Sequence, residues 1–175
     1  MTLFKDKYRV ESIRLPGYDY SQPGAYFITI VTHNRQCFFG NIIDGEMMLN
    51  EFGVLVKNEW LKTGIIRPNI VIDAFVVMPN HLHVIIIITD TKTETKTIEQ
   101  FGKPTKNSIP TIVRLFKSTT TKQINQLRVS TPMQPLWQRN YYEHVIRNKV
   151  ELNRIRQYII DNPKKWKEDN LNKFL

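Results

Sequence analysis

Ile70-Val71-Ile72-Asp73-Ala74-Phe75-Val76-Val77-Met78-Pro79-Asn80-His81-Leu82-His83-Val84-Ile85-Ile86-Ile87-Ile88-Thr89 is the run that decides how this chain folds. Both halves are dense in β-branched and apolar residues, and only Pro79-Asn80 interrupts them. This predicts two antiparallel strands, 70–78 and 81–89, joined by a tight turn. Side chains alternate faces along a strand, so His81 and His83 point to one side and Leu82 to the other. Two imidazoles on one face can hold a metal, or each can satisfy a backbone partner in an ordinary sheet. What stands opposite them decides between the two.

Upstream, Ala25 to Thr32 is aromatic and β-branched and reads as a first, central strand, with His33, Asn34 and Arg35 at its end. Cys37 to Gly40 and Glu46 to Leu49 flank Asp44-Gly45 as a small hairpin. Asn50 caps a first helix with an apolar stripe of Phe52, Leu55, Val56 and Trp60, ending near Gly64 before Pro68. Downstream, residues 90–107 are polar and read as a flexible loop. Ile109, Ile112, Val113, Phe116, Ile124 and Leu127 then recur at helical spacing behind Pro110, giving a second helix whose basic side carries Arg114 and Lys117. Leu136 to Ile146 reads as a fourth strand. Asn148 and Glu151 form a capping box opening a third helix, with Leu152, Ile155 and Ile159 on its buried stripe and a stop at Asn162 before Pro163. The order is β-α-β-β-α-β plus one helix. It predicts an α+β, ferredoxin-like split β-α-β sandwich, an antiparallel sheet with helices on one face and an appended C-terminal helix. We expect a single domain over residues 1–175, with residues 1–24 as a basic and aromatic arm that includes Arg14.

Lysine and arginine number 25 against 16 acidic residues, a net charge of +9 that favours a polyanionic partner without naming one. Three Trp, seven Tyr and nine Phe offer core residues and stacking surfaces for unpaired bases. The single cysteine, Cys37, forms no internal disulfide, and no Cys-x-x-Cys pair suggests structural zinc, so a reducing cytoplasm is the expected compartment. The longest apolar run, Val84 to Ile88, is too short to span a bilayer, and no membrane partner is expected. Gly102-Lys103 lacks the earlier glycine and the following Ser or Thr of a P-loop, so no nucleotide fuel is implied.

Tyr158 and Asn162 are four residues apart on the third helix and therefore share a face. One can serve as a nucleophile and the other as a ligand. A tyrosine hydroxyl attacks well only when it is positioned in line with an electrophile, and a metal-bound phosphate meets that condition. Two neutral imidazoles plus a carboxamide oxygen leave sites open for phosphate oxygens and suit Mg²⁺ or Mn²⁺. Tyr18, Tyr141 and Tyr142 are rival nucleophiles to which core or stacking roles fall more naturally. Arg35, Arg139 and Arg147 can contact phosphates or make surface ion pairs, and His33 and His144 suit structural or DNA-contact roles.

Met78-Pro79-Asn80-His81-Leu82-His83 resembles the His-hydrophobic-His motif of the HUH superfamily. Trp137 to Asn148 and Tyr158-Ile159-Ile160-Asp161-Asn162-Pro163 resemble the REP-associated tyrosine transposases, single-tyrosine members of the short insertion-sequence type. Similarity reaches forward to Pro16-Gly17-Tyr18-Asp19-Tyr20 and Gly24 to Thr29. The resemblance implies a metal-dependent endonuclease and strand transferase acting on single-stranded, hairpin-forming DNA. It implies that Tyr158 attacks the phosphate to form a 5′-phosphotyrosine link, that His81 and His83 hold the metal, and that Asn162 is the third ligand, where other single-tyrosine relatives tend to carry Gln. A cytoplasmic, nucleoid-associated protein acting as a monomer or homodimer is expected. A domesticated DNA-binding regulator that no longer cuts is the alternative on the same fold.

Overall fold

The computed structural model describes residues 3–4, 7–8, 18–89, 105–128 and 134–172. Arg14 and most of the expected arm and loop lie outside them. Two short strands, β1 (Leu3–Phe4) and β2 (Lys7–Tyr8), pair with each other at the N-terminus. The body is built on β3 (Gly24–Val31), β6 (Ile70–Met78), β7 (His81–Ile88) and β8 (Tyr142–Ile146). They form one sheet in the order β6-β7-β3-β8, with every neighbouring pair antiparallel. That is the ferredoxin-like arrangement expected from the element order. The small hairpin is present as β4 (Gly40–Ile43) and β5 (Glu46–Leu49).

Met78 pairs with His81, so Pro79-Asn80 is a two-residue turn. Proline cannot adopt the positive φ that the usual two-residue hairpin turns need, and other bonds hold this one. Phe39 N–H donates to Pro79 O at 3.0 Å and Thr32 N–H donates to Asn80 O at 2.9 Å. The turn is thus tied to the segment that leaves β3, and it brings the end of β3 beside the histidines.

Helix α1 (Glu51–Ile66) is capped by Asn50, whose side-chain oxygen accepts from Gly53 N at 3.0 Å. It runs past Gly64, where it was expected to end, and stops at extended Arg67, because a residue before proline avoids the helical region. Helix α2 (Ile109–Leu127) carries Pro110 in its first turn as expected, and the structure adds Ser108 as its cap, the side chain accepting from Thr111 N. Of its apolar stripe, Leu127 is exposed while Ile109 through Ile124 are buried. Helix α3 (Lys149–Asp161) is capped by Asn148. The Glu151 carboxylate does not close the box on Asn148; it accepts from Arg147 N at 2.9 Å and pairs with His144 Nε2 at 2.8 Å.

The fourth strand begins at Tyr142 and not at Leu136. Lys117 Nζ on α2 donates to the carbonyls of Gln138 and Asn140 at 3.0 and 2.9 Å, with Arg139 O at 3.4 Å, which turns this stretch away from the ladder. Leu136 and Trp137 remain buried, and Trp137 forms an isolated bridge to Thr32.

Each face of the sheet carries its own core. Ile28, Ile30, Leu82, Val84 and Ile86 meet Trp60 of α1 and Ile112 and Phe116 of α2. On the other face Phe27, Ile85 and Ile146 meet only Ile155 and Ile159 of α3, with Leu152 and neighbouring small aliphatics at the margin. The apolar docking of α3 therefore rests on few side chains, supplemented by Arg156, whose Nε donates to Asp73 of β6 at 2.7 Å. Ile159→Ala should lower unfolding stability by about 2–4 kcal/mol, because Ile159 is one of only two buried α3 side chains in this core. Urea denaturation followed by circular dichroism measures this, and a loss below about 1 kcal/mol would show that α3 is not held through this contact.

Candidate active site and metal centre

Strand alternation puts His81 and His83 on the α3 face, and register sets their neighbours. Val76, His83, Thr29 and Tyr142 form one row across the four strands; Met78, His81 and Val31 form the next. Both imidazoles are almost wholly buried, and their ring centroids are 4.4 Å apart.

The protonation of His81 follows from its partners. Asn80 Nδ2 donates to Arg35 O at 2.9 Å and to Leu171 O at 2.8 Å, which fixes the amide so that Asn80 Oδ1 faces His81 Nδ1 at 2.8 Å. An amide oxygen only accepts, so Nδ1 carries the proton and Nε2 presents a lone pair. Burial lowers the His81 pKa to about 4 despite the opposing pull of Asp169 and Asn162, so the ring is neutral near pH 7. His83 is likewise held well below its ordinary value, first by burial and then by His81. Its Nδ1 meets Thr29 Oγ1 at 2.8 Å, and its Nε2 lies 3.2 Å from the Tyr158 hydroxyl.

Tyr158 projects from α3 beside Phe27 and His83, about half exposed. Burial raises its pKa, the Asp169 carboxylate adds to that, and Asn162 works against it. The phenol is therefore protonated at rest and needs activation to become a nucleophile.

Sequence spacing does not single out Asp169. It follows a 3-10 turn over Trp166–Glu168 that folds the chain back across the sheet end. One carboxylate oxygen accepts from Leu171 N at 2.7 Å, a local Asx turn, and the other lies 3.9 Å from His81 Nε2. One ligand atom each from His81, His83 and Asp169 falls within 4.8 Å of the others. His81 Nε2, Asp169 Oδ2 and Asn162 Oδ1 are all buried and have no hydrogen-bond partner among the described residues. All three are lone-pair donors. Such atoms are costly to bury unpaired, and converging on one point they suit a cation.

The structure thus brings together His81, His83, Tyr158 and Asn162. Arg35 is close by, its Nη1 donating to Asn170 O at 3.2 Å. Arg114 and Lys117 lie on α2, behind the sheet, with Arg139 on the segment that Lys117 holds. Arg147 is exposed just before α3. Tyr18 is engaged with Tyr26 and Tyr20 in the other core, and Tyr141 packs under Lys117 at 5.5 Å. Tyr142, more than half exposed, stands edge-on to Phe27 at a centroid distance of 6.2 Å.

No protein-family model matches the chain. An uncharacterized protein of Haemophilus influenzae strain Rd is 41% identical to it over 167 residues, 91% of either chain. The chain belongs to the family of that protein. Among solved structures it is similar to a REP-associated tyrosine transposase bound to a REP hairpin, at a TM-score of 0.61 and 21% identity, over 90% of this chain and 74% of that one. The two share a fold. Among the described residues no helix is long and apolar enough to cross a membrane.

The His81 tautomer is open to measurement. Histidine-selective ¹⁵N spectra should show His81 protonated at Nδ1, and Asn80→Ala should convert it to a mixture of tautomers. A wild-type signal protonated at Nε2 would contradict the arrangement.

Proposed function

We propose that this chain is a divalent-metal-dependent single-strand DNA endonuclease and strand transferase that works through Tyr158. The observation that carries the reading is the Tyr158 hydroxyl 3.2 Å from His83 Nε2, beside three buried acceptors, His81 Nε2, Asp169 Oδ2 and Asn162 Oδ1, that have no partner among the described residues. His81, His83 and Asp169 would hold Mg²⁺ or Mn²⁺, with the Asn162 oxygen beside them. A bound ion supplies Lewis-acid polarisation of a non-bridging phosphate oxygen. The Asp169 carboxylate adds a hard oxygen to two imidazoles, a donor set that suits these ions.

In the proposed reaction Tyr158 Oη bonds to phosphorus while the bond from phosphorus to the 3′ oxygen breaks. The product is a 5′-phosphotyrosine link and a free 3′-hydroxyl. Because Tyr158 is half exposed, its proton can pass to water, and the departing 3′ oxygen can take one from water. A phosphodiester is exchanged for another, so the link can be reversed onto a second strand without nucleotide fuel. The DNA hairpin held by the structural relative, the basic excess of the chain and its exposed aromatic rings support single-stranded, hairpin-bearing DNA as substrate. A cytoplasmic site of action next to the nucleoid follows from that substrate.

Hairpin-bearing single strands incubated with the protein and Mn²⁺ or Mg²⁺ should yield a covalent adduct resolved by denaturing electrophoresis. Tyr158→Phe should abolish the adduct and keep DNA binding; an adduct that survives would sink the assignment. Binding without cleavage in the wild type, across a range of hairpins, would favour a non-cutting regulator. Calorimetric titration with Mn²⁺ should show binding that Asp169→Asn weakens roughly 10–100-fold. Unchanged affinity would remove Asp169 from the ligand set and leave Asn162 as the third ligand.

A further inference from the structure

On the sheet face away from α3, a groove runs between α2 and the segment from Pro135 to Arg139. Trp137 forms its anchored wall, with Nε1 donating to Thr120 Oγ1 at 2.9 Å and the ring packed on Phe39 and Phe116. Lys117, Lys122 and Arg139 line it together with the amides of Asn125, Gln126 and Gln138. None of the residues lining it is acidic. Three cations, several neutral hydrogen-bond donors and no carboxylate match a sugar-phosphate chain better than a protein surface. The groove lies between one helix and one extended segment, a shape for a single strand and not for a duplex.

Its inner end lies close to the candidate site. Gln138 N–H donates to Val31 O at 2.9 Å, and Val31 pairs with His81 across the sheet. The groove's inner rim is thus two strands from His81, roughly 10 Å. Arg139 and Tyr142 are three residues apart, a reach of at most about 10 Å, and between them the chain passes from the groove to the α3 face. Tyr142 then offers an exposed ring against Phe27, whose own ring also meets Tyr158 at 6.1 Å.

We infer that this groove is the track for the single strand flanking the scissile phosphate, which lies against Lys122 and Arg139, turns over the β8 edge and stacks a base on Tyr142 on its way to Tyr158. The inference rests on the proposed action on single-stranded DNA. Lys117 is a positioning residue for the track, since its ammonium is already committed to the carbonyls that shape the rim.

Fluorescence anisotropy with labelled oligothymidine, titrated over a range of salt concentrations, tests it. Lys122→Gln/Arg139→Gln should flatten the slope of log affinity against log salt by roughly 0.7 per charge removed. Lys57→Gln/Lys62→Gln, which takes the same charge from exposed positions on α1, should leave that slope close to wild type. Tyr142→Ala should weaken binding roughly tenfold without changing the slope. Equal slopes for the two double variants would overturn the groove, and an unaltered Tyr142→Ala affinity would overturn the turn over β8. Failure of the wild type to bind oligothymidine at low salt would overturn the DNA reading and the track together.

Discussion

Strand β7 is covered on both faces, and the rest of the structure depends on that constraint. A strand so placed is expected to be apolar throughout, and from Val84 to Ile88 it is. His81 and His83 break the pattern at its first turn. Each imidazole brings two nitrogens into a place without water, and each nitrogen left without a partner costs about 1–3 kcal/mol. Asn80 and Thr29 answer for one nitrogen of each ring. The remaining two both point toward α3, so the sheet determines where the open valences lie before α3 is considered.

Asn80 has a larger share in this than its place in a turn suggests. One carboxamide orients His81, ties the end of β3 through Arg35 O and holds the C-terminal turn through Leu171 O. That third bond places the Asp169 turn over the histidines. Orientation of a ring and delivery of a carboxylate thus depend on one side chain, a coupling of the kind that outer-shell residues give metal sites.

Much of the frame was legible in the sequence because its signals are local. The Pro79-Asn80 break, the Asn50 and Asn148 caps, Pro110 in the first turn of α2 and the alternation through His81, Leu82 and His83 each follow from residues within a turn of one another. Tyr158 and Asn162 were legible as a pair for the same reason. What escaped is non-local. The late start of β8 depends on Lys117 reaching three carbonyls more than twenty residues away, and nothing in the Leu136 to Tyr141 pattern encodes that. The passage of α1 beyond Gly64 shows a glycine tolerated inside a helix where Ile72 packs close to it. Asp169 sits in a charged tail with no apolar period, and its meaning appears only once a 3-10 turn carries it back to β7.

The resting state of Tyr158 completes the argument about the site. Burial and a nearby carboxylate both hold its proton on, so the free protein carries a phenol and not a phenolate beside His83. In the proposed reaction the groups that would make it reactive are not covalently part of the protein: a cation among the unpaired acceptors would offset the Asp169 charge, and a phosphate would bring the electrophile into line. Reactivity would then be conditional on both arriving. Under the proposed reaction that condition would keep Tyr158 from bonding to the wrong phosphate, and it follows from the same burial that leaves His81 Nε2, Asp169 Oδ2 and Asn162 Oδ1 without partners among the described residues.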